Sequence, residues 1–145
     1  NSELLQLITS TDSVSVHIRR GDFLNVSAYK GICDLSYYKS AITYILNKVS
    51  HPVFFIFSND IEWCKANIVP LINDCQYNIV TGNTGAKAYI DMQLMSDCKH
   101  QIIANSTFSW WSAYLNAHQN KLIIAPKLWT NLPSGKIQLD DWTLL

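Results

Sequence analysis

A chain of 145 residues, 48% apolar and 15% charged, has the size and composition of one soluble globular domain with its own core. Lys plus Arg and Asp plus Glu both number 11, so the formal net charge is zero. That excludes a broad field for nucleic acid or another polyanion; any anion must be met locally by a few placed donors.

The residues ahead of Val14 read as the end of a helix. The chain opens at Asn1 without an initiator Met and is expected to be a processed product or a piece of a longer protein. Short, continuous β-branched and aromatic runs predict strands at 14–18, 53–57, 77–80, 101–104 and 122–125. Between them, apolar residues at helical spacing predict helices over 35–49, 61–68, 86–98 and 108–116. Ser36 is the expected cap of the first of these, and Pro52 closes the connection after it. Ala88, Met92, Met95 and Leu94 are expected to face inward from the third. From Lys127 to Leu145 the chain reads as a packed, mostly irregular end. No apolar run approaches the ~20 residues of a bilayer span; the longest, Val53 to Phe57, is strand length.

Strand and helix alternate through the chain, which predicts an α/β, Rossmann-like parallel sheet with helices on both faces. Ligands of such sheets sit beyond the carboxyl ends of the strands, so the segments after Ile18, Phe57 and Ala104 matter most. Cys33, Cys64, Cys75 and Cys98 form no C-x-x-C pair, and a structural zinc site is not expected. Cys64 and Cys98 lie in apolar helical contexts and read as small core residues, and free thiols suit a cytosol. Asn25-Val-Ser27 and Asn105-Ser-Thr107 match the glycosylation triplet, a pattern common by chance.

Three segments carry candidate chemistry. In His17-Ile-Arg19-Arg20-Gly21-Asp22, polar residues crowd the end of the first strand. Strand alternation puts His17 and Arg19 on one face and Ile18 and Arg20 on the other. The planar guanidinium fork of Arg matches two phosphate oxygens. Gly21 permits a sharp turn that returns Asp22 toward an arginine or a proton. The plain alternative is a surface Arg20–Asp22 ion pair worth under ~1 kcal/mol. In Asn105-Ser106-Thr107-Phe108-Ser109-Trp110-Trp111, a helix start follows a strand end. Its unpaired N–H groups and positive dipole end suit phosphate, while an ordinary helix cap fits equally well. Trp110 and Trp111 point about 100° apart on a helix, so at least one belongs to the core. Asp91, early in its helix, either complements the dipole or accepts from the N1–H and amino group of guanine. In Ser58-Asn59-Asp60, Asn59 or Asp60 is expected to cap the next helix, with a base or ribose contact by Asn59 as a secondary reading.

In order along the chain, HIRRGDF at 17–23, FSND with Trp63-Cys64 at 57–64, DMQLMSDCKHQIIANSTFSWWSAYLN at 91–116 and IIAPKLW at 123–129 resemble the α-1,2-fucosyltransferases, glycosyltransferase family 11, of bacterial type. The HxRRGD element is shared more widely among GDP-fucose enzymes; the 91–116 block is far more specific. Phe23 stands where the family often has Tyr. The resemblance covers nearly the whole chain and implies the carboxyl-terminal, donor-binding domain of a GT-B-type enzyme, spanning 1–145, with the parent's amino-terminal domain outside it. It implies transfer of L-fucose from GDP-fucose to a galactose-type hydroxyl of a glycan acceptor, in α-1,2 linkage with inversion. Arg19 would contact the phosphates, Asp22 would lie beside the nucleotide, Asp91 would face guanine, and Ser106 to Ser109 would line the phosphates. A place in the bacterial cytoplasm, or peripheral at the inner membrane, goes with this.

No obvious Asp-x-Asp metal pair is present; Asp140-Asp141 sits in the tail without a phosphate loop. Metal-independent catalysis without a cofactor is therefore expected, with Arg19 and the helix start at Ser106 and Thr107 taking the leaving-group charge. Asp22 is the nominated base and His17 the runner-up. Two other functions remain open: a GDP-sugar-binding module without turnover, and an unrelated nucleotide-binding Rossmann-like domain. Against the latter, neither G-x-G-x-x-G nor G-x-x-x-x-G-K-[ST] occurs.

Overall fold

A computed structural model describes residues 1–145, with the side chains of Asp22 and Phe23 outside the described residues. The order is α1 (Ser2–Ser10), β1 (Asp12–Ile18), α2 (Leu35–Lys48), β2 (Pro52–Ser58), α3 (Ile61–Asn67), α4 (Val69–Ile72), β3 (Gln76–Ile79), α5 (Ala88–Asp97), β4 (His100–Ile102), α6 (Thr107–Tyr114), β5 (Ile123–Ala125) and β6 (Thr143–Leu144). Short 3-10 turns span Gly21–Asn25 and Gly85–Lys87. The strands form one sheet in the order β3-β2-β1-β4-β5-β6, and every neighbouring pair is parallel. This is the Rossmann-like α/β fold expected from the alternation.

Burial on both faces explains why β2 and β5 read as unbroken apolar runs. Val14, Val16 and Ile18 of β1 join Phe54 and Ile56 of β2 in one core with Tyr38, Ala41, Ile42 and Ile45 of α2. On the other face, Val53, Phe55 and Phe57 pack against Ile8 of α1 and Leu94, Met95 and Cys98 around α5. A third cluster joins Ile103, Ile123, Ala125, Ala113 and Trp142. Ser13, Ser15 and His17 occupy the remaining face of β1 and are buried despite being polar. Cys64 and Cys98 are fully buried, and all four cysteines are free thiols.

Some boundaries differ from expectation. Asp34, not Ser36, caps α2: its backbone is extended and its Oδ1 accepts from the Tyr37 amide at 3.0 Å, whereas Ser36 is already helical. The helix expected over 61–68 divides into α3 and α4 at Ile68, beside Pro70, whose missing N–H ends the ladder. On α5, Leu94 and Met95 are buried while Ala88 and Met92 are only half-buried. The tail contributes β6, whose Thr143 and Leu144 pair with Ile124 and Ala125. Of the two tryptophans, Trp110 packs against Trp142, with ring centroids 5.9 Å apart, while Trp111 is exposed. Asn105 is buried and its Nδ2 donates to the Trp129 carbonyl, which leaves no room for a glycan. Among the described residues, no helix is long and apolar enough to cross a membrane.

Candidate functional site

The chain winds outward from β1 through β2 to β3, then crosses back to lay β4 on the other side of β1. The winding reverses between β1 and β4, and a crevice opens at their carboxyl ends. Val16 of β1 lies beside Ile102 of β4, so the residues following each strand emerge side by side. The two segments picked from sequence, 17–22 and 105–109, thus meet at one point of the sheet. Arg19 and Asn105 line the same small cavity, of ≈ 30 Å³, together with Arg20, Tyr29, Lys30 and Cys33. Burial pushes the Cys33 thiol up to about 12, which keeps it protonated and out of nucleophilic chemistry.

His17 is the link between the segments. Its Nδ1 lies 2.5 Å from the Ser109 Oγ, and its ring sits 5.6 Å from that of Phe108. Burial, helped by the neighbouring Arg19 charge, lowers its pKa to about 4, so the imidazole is neutral near pH 7. Its backbone carbonyl accepts from the Tyr38 hydroxyl at 2.9 Å. Tyr37 does the same beyond β4 and in β5, its one hydroxyl hydrogen shared between the carbonyls of Ile103 at 2.6 Å and Ile124 at 3.1 Å. Two tyrosines of α2 therefore hold the carboxyl ends of the central strands through their carbonyls, with the Ile124 carbonyl also accepting from the Ile103 amide at 2.9 Å.

The start of α6 keeps its first amides clear of a side-chain cap. Ser106 stands at the cap position in extended backbone but makes no side-chain cap bond. The first intrahelical bond runs from the Trp110 amide to the Ser106 carbonyl at 2.9 Å. The amides of Thr107, Phe108 and Ser109 precede it and have no intrahelical acceptor. Ser106 and Ser109 are buried and Thr107 is exposed.

Arg20 points to the α3 side, as strand alternation requires. Its guanidinium lies 4.1 Å above the Trp63 ring, and its Nε is 3.4 Å from Asp60 Oδ2. Its acidic partner among the described residues is thus Asp60. Asp60 also caps α3, its Oδ1 accepting from the Trp63 amide at 3.1 Å. Asn59 clamps Arg20 instead: its Oδ1 accepts from the Arg20 amide at 2.8 Å and its Nδ2 donates to the Arg20 carbonyl at 2.7 Å. The clamp holds the turn that carries Gly21 at φ +73, in the left-handed region that favours glycine. Asp22 follows in the 3-10 turn, but its side chain lies outside the described residues.

Asp91 sits in the first turn of α5, and its Oδ1 accepts from Asn83 Nδ2 at 2.9 Å. Asn83 is buried and exchanges two further amide bonds with Asn1, both at 3.1 Å. Burial raises the Asp91 carboxyl above the usual range, and the Asn83 bond opposes that rise. Asn83 escaped the sequence reading because its partners are 8 and 82 residues away. The tail was also undervalued. Asn131 donates its backbone amide to the Ala28 carbonyl and its side chain to the Ser27 and Lys30 carbonyls, tying the tail to the loop that borders the Arg19 cavity. Among the described residues, no three His, Cys, Asp or Glu side chains group closely enough to hold a metal ion.

The sequence model of Glycosyl transferase family 11 matches residues 1–145. The chain belongs to glycosyltransferase family 11. An α-1,2-colitosyltransferase of Escherichia coli is 46% identical over 133 residues, which are 88% of this chain and 44% of that protein. The O-antigen biosynthesis glycosyltransferase WbnK of Escherichia coli is 36% identical over 92% of this chain and 44% of its own length. The human galactoside α-(1,2)-fucosyltransferase 1 is 36% identical over 70% of this chain and 28% of its own length. This family 11 chain therefore spans less than half the length of these relatives.

Proposed function

We propose that this chain is the donor domain of a family 11 enzyme that transfers L-fucose from GDP-fucose to a galactose-type hydroxyl of a glycan, in α-1,2 linkage and with inversion. The observation that carries this reading is the cavity that Arg19 shares with Asn105, the residue just ahead of the uncapped start of α6, at the reversal between β1 and β4. Breaking the bond between sugar C1 and the β-phosphate leaves positive charge on the sugar and negative charge on GDP. The Arg19 guanidinium and the amides of Thr107, Phe108 and Ser109 take up that negative charge as it develops, with no metal or cofactor required. Asp91, steadied by Asn83, accepts from the two donors on the guanine edge, a pattern adenine does not offer. Asp22 is the nominated base for the acceptor hydroxyl. The acceptor itself is held largely by the portion of the whole protein that this chain does not span.

In the whole protein, Arg19→Ala should lower kcat by about 100- to 1,000-fold, the usual effect of deleting one transition-state donor. Near-normal turnover in that variant would remove this mechanism. A second reading is a colitose donor, favoured by the 46% identical colitosyltransferase. Competition between GDP-fucose and the corresponding colitose donor decides between the two.

A further inference from the structure

The structure assigns to His17 a positioning role, in which its imidazole fixes Ser109 and, through it, the turn that opens α6. It rests on the diphosphate site proposed above and adds what holds that site in shape. Ser109 Oγ accepts the Ala104 backbone amide at 3.1 Å, so one lone pair is engaged. Nδ1 is the ring nitrogen within reach of the hydroxyl's single hydrogen, and in this assignment it accepts that hydrogen while the ring carries its own proton on Nε2. One serine hydroxyl therefore joins the end of β1 to the segment that follows β4 and the first turn of α6.

Behind Ser109, buried polar contacts continue along α6 and just past its end. Ser112 Oγ donates to the Ser109 carbonyl at 2.7 Å and accepts from Gln101 Nε2 at 3.0 Å. Asn116 Nδ2 reaches both Gln101 Oε1 and the Cys98 carbonyl at 2.8 Å. Ser109, Ser112 and Gln101 are fully buried, and Asn116 nearly so. An apolar contact tolerates sliding, whereas directional bonds of this length fix a helix within tenths of an ångström. That precision matters at the α6 start, because a 1 Å misplacement of a binding group costs up to about 100-fold in rate. His17 closes the row at the end nearest Arg19.

The test uses Ser109→Ala, His17→Gln and His17→Asn. An Asn side chain can place an acceptor where Nδ1 stood; a Gln places its group further out, near Nε2. Amide hydrogen exchange of residues 104–110 in the unliganded protein is the first readout. Ser109→Ala and His17→Gln should speed it at least tenfold, and His17→Asn should stay within threefold of the parent. GDP titration is the second readout, with about tenfold weaker binding expected for the first two variants and near-parental binding for His17→Asn. Unchanged exchange in both Ser109→Ala and His17→Gln would overturn the assignment. So would loss of GDP binding in His17→Asn with parental exchange, since the ring would then contact the ligand itself. A parent protein that binds no GDP would defeat the diphosphate site alone, and the exchange data would still decide the role of His17.

Discussion

At the scale of single residues, His17 shows how burial sets protonation. Its pKa near 4 means that the folded chain refuses a proton the unfolded chain accepts at about 6.5. The unfolded state therefore gains protons first as the pH falls. Stability tied to His17 is whole above about 6.5, declines between 6.5 and 4, and has lost on the order of 3 kcal/mol below that. Urea unfolding at pH 7 and pH 4.5 should show a smaller acid-induced loss for His17→Asn than for the parent. Equal losses in both proteins would contradict the burial of a neutral ring. The neighbouring Arg19 charge acts in the same direction, so raising salt should trim the effect without abolishing it.

At the scale of elements, each helix places chemistry by the way it starts. Asp34 starts α2 and sets the phase that points Tyr37 and Tyr38 at the strand-end carbonyls. Asp34→Ala should cost ~1 kcal/mol and lower Tm by a few degrees, while Ser36→Ala should leave Tm nearly unchanged. The reverse result would return the cap to Ser36. Sequence alone led to Ser36 because Ser and Asp cap almost equally well, and only backbone conformation separates them. The break at Ile68 was open to notice, since Pro70 stands in the sequence, but apolar spacing masked it. β6 was beyond reach: two residues give no alternation to read. β2 and β5 were legible because their apolar runs are continuous, which follows from burial on both faces, and β1 because Val14, Val16 and Ile18 alternate along it.

At the scale of the whole molecule, the site comes from topology. Alternation predicted a parallel sheet but not its strand order, and only the order brings Arg19 beside Asn105, just ahead of α6. The His17–Ser109 contact spans 92 positions, and nothing local announces it. The polar clustering at 17–22 and 105–109 was nonetheless readable, because adjacent arginines and a polar helix start are local chemistry. Asn83 and Asn131 were not, since each matters through backbone or side chains distant in sequence. The measurement that bears most directly on the diphosphate site is calorimetric titration of this protein and its Arg19→Ala variant with GDP, ADP and UDP. GDP should bind at least tenfold more tightly than ADP or UDP, and the variant should lose most of that affinity. Equal affinity for the three nucleotides, or undiminished GDP binding without Arg19, would contradict a guanine-selective diphosphate site at the junction of β1 and β4.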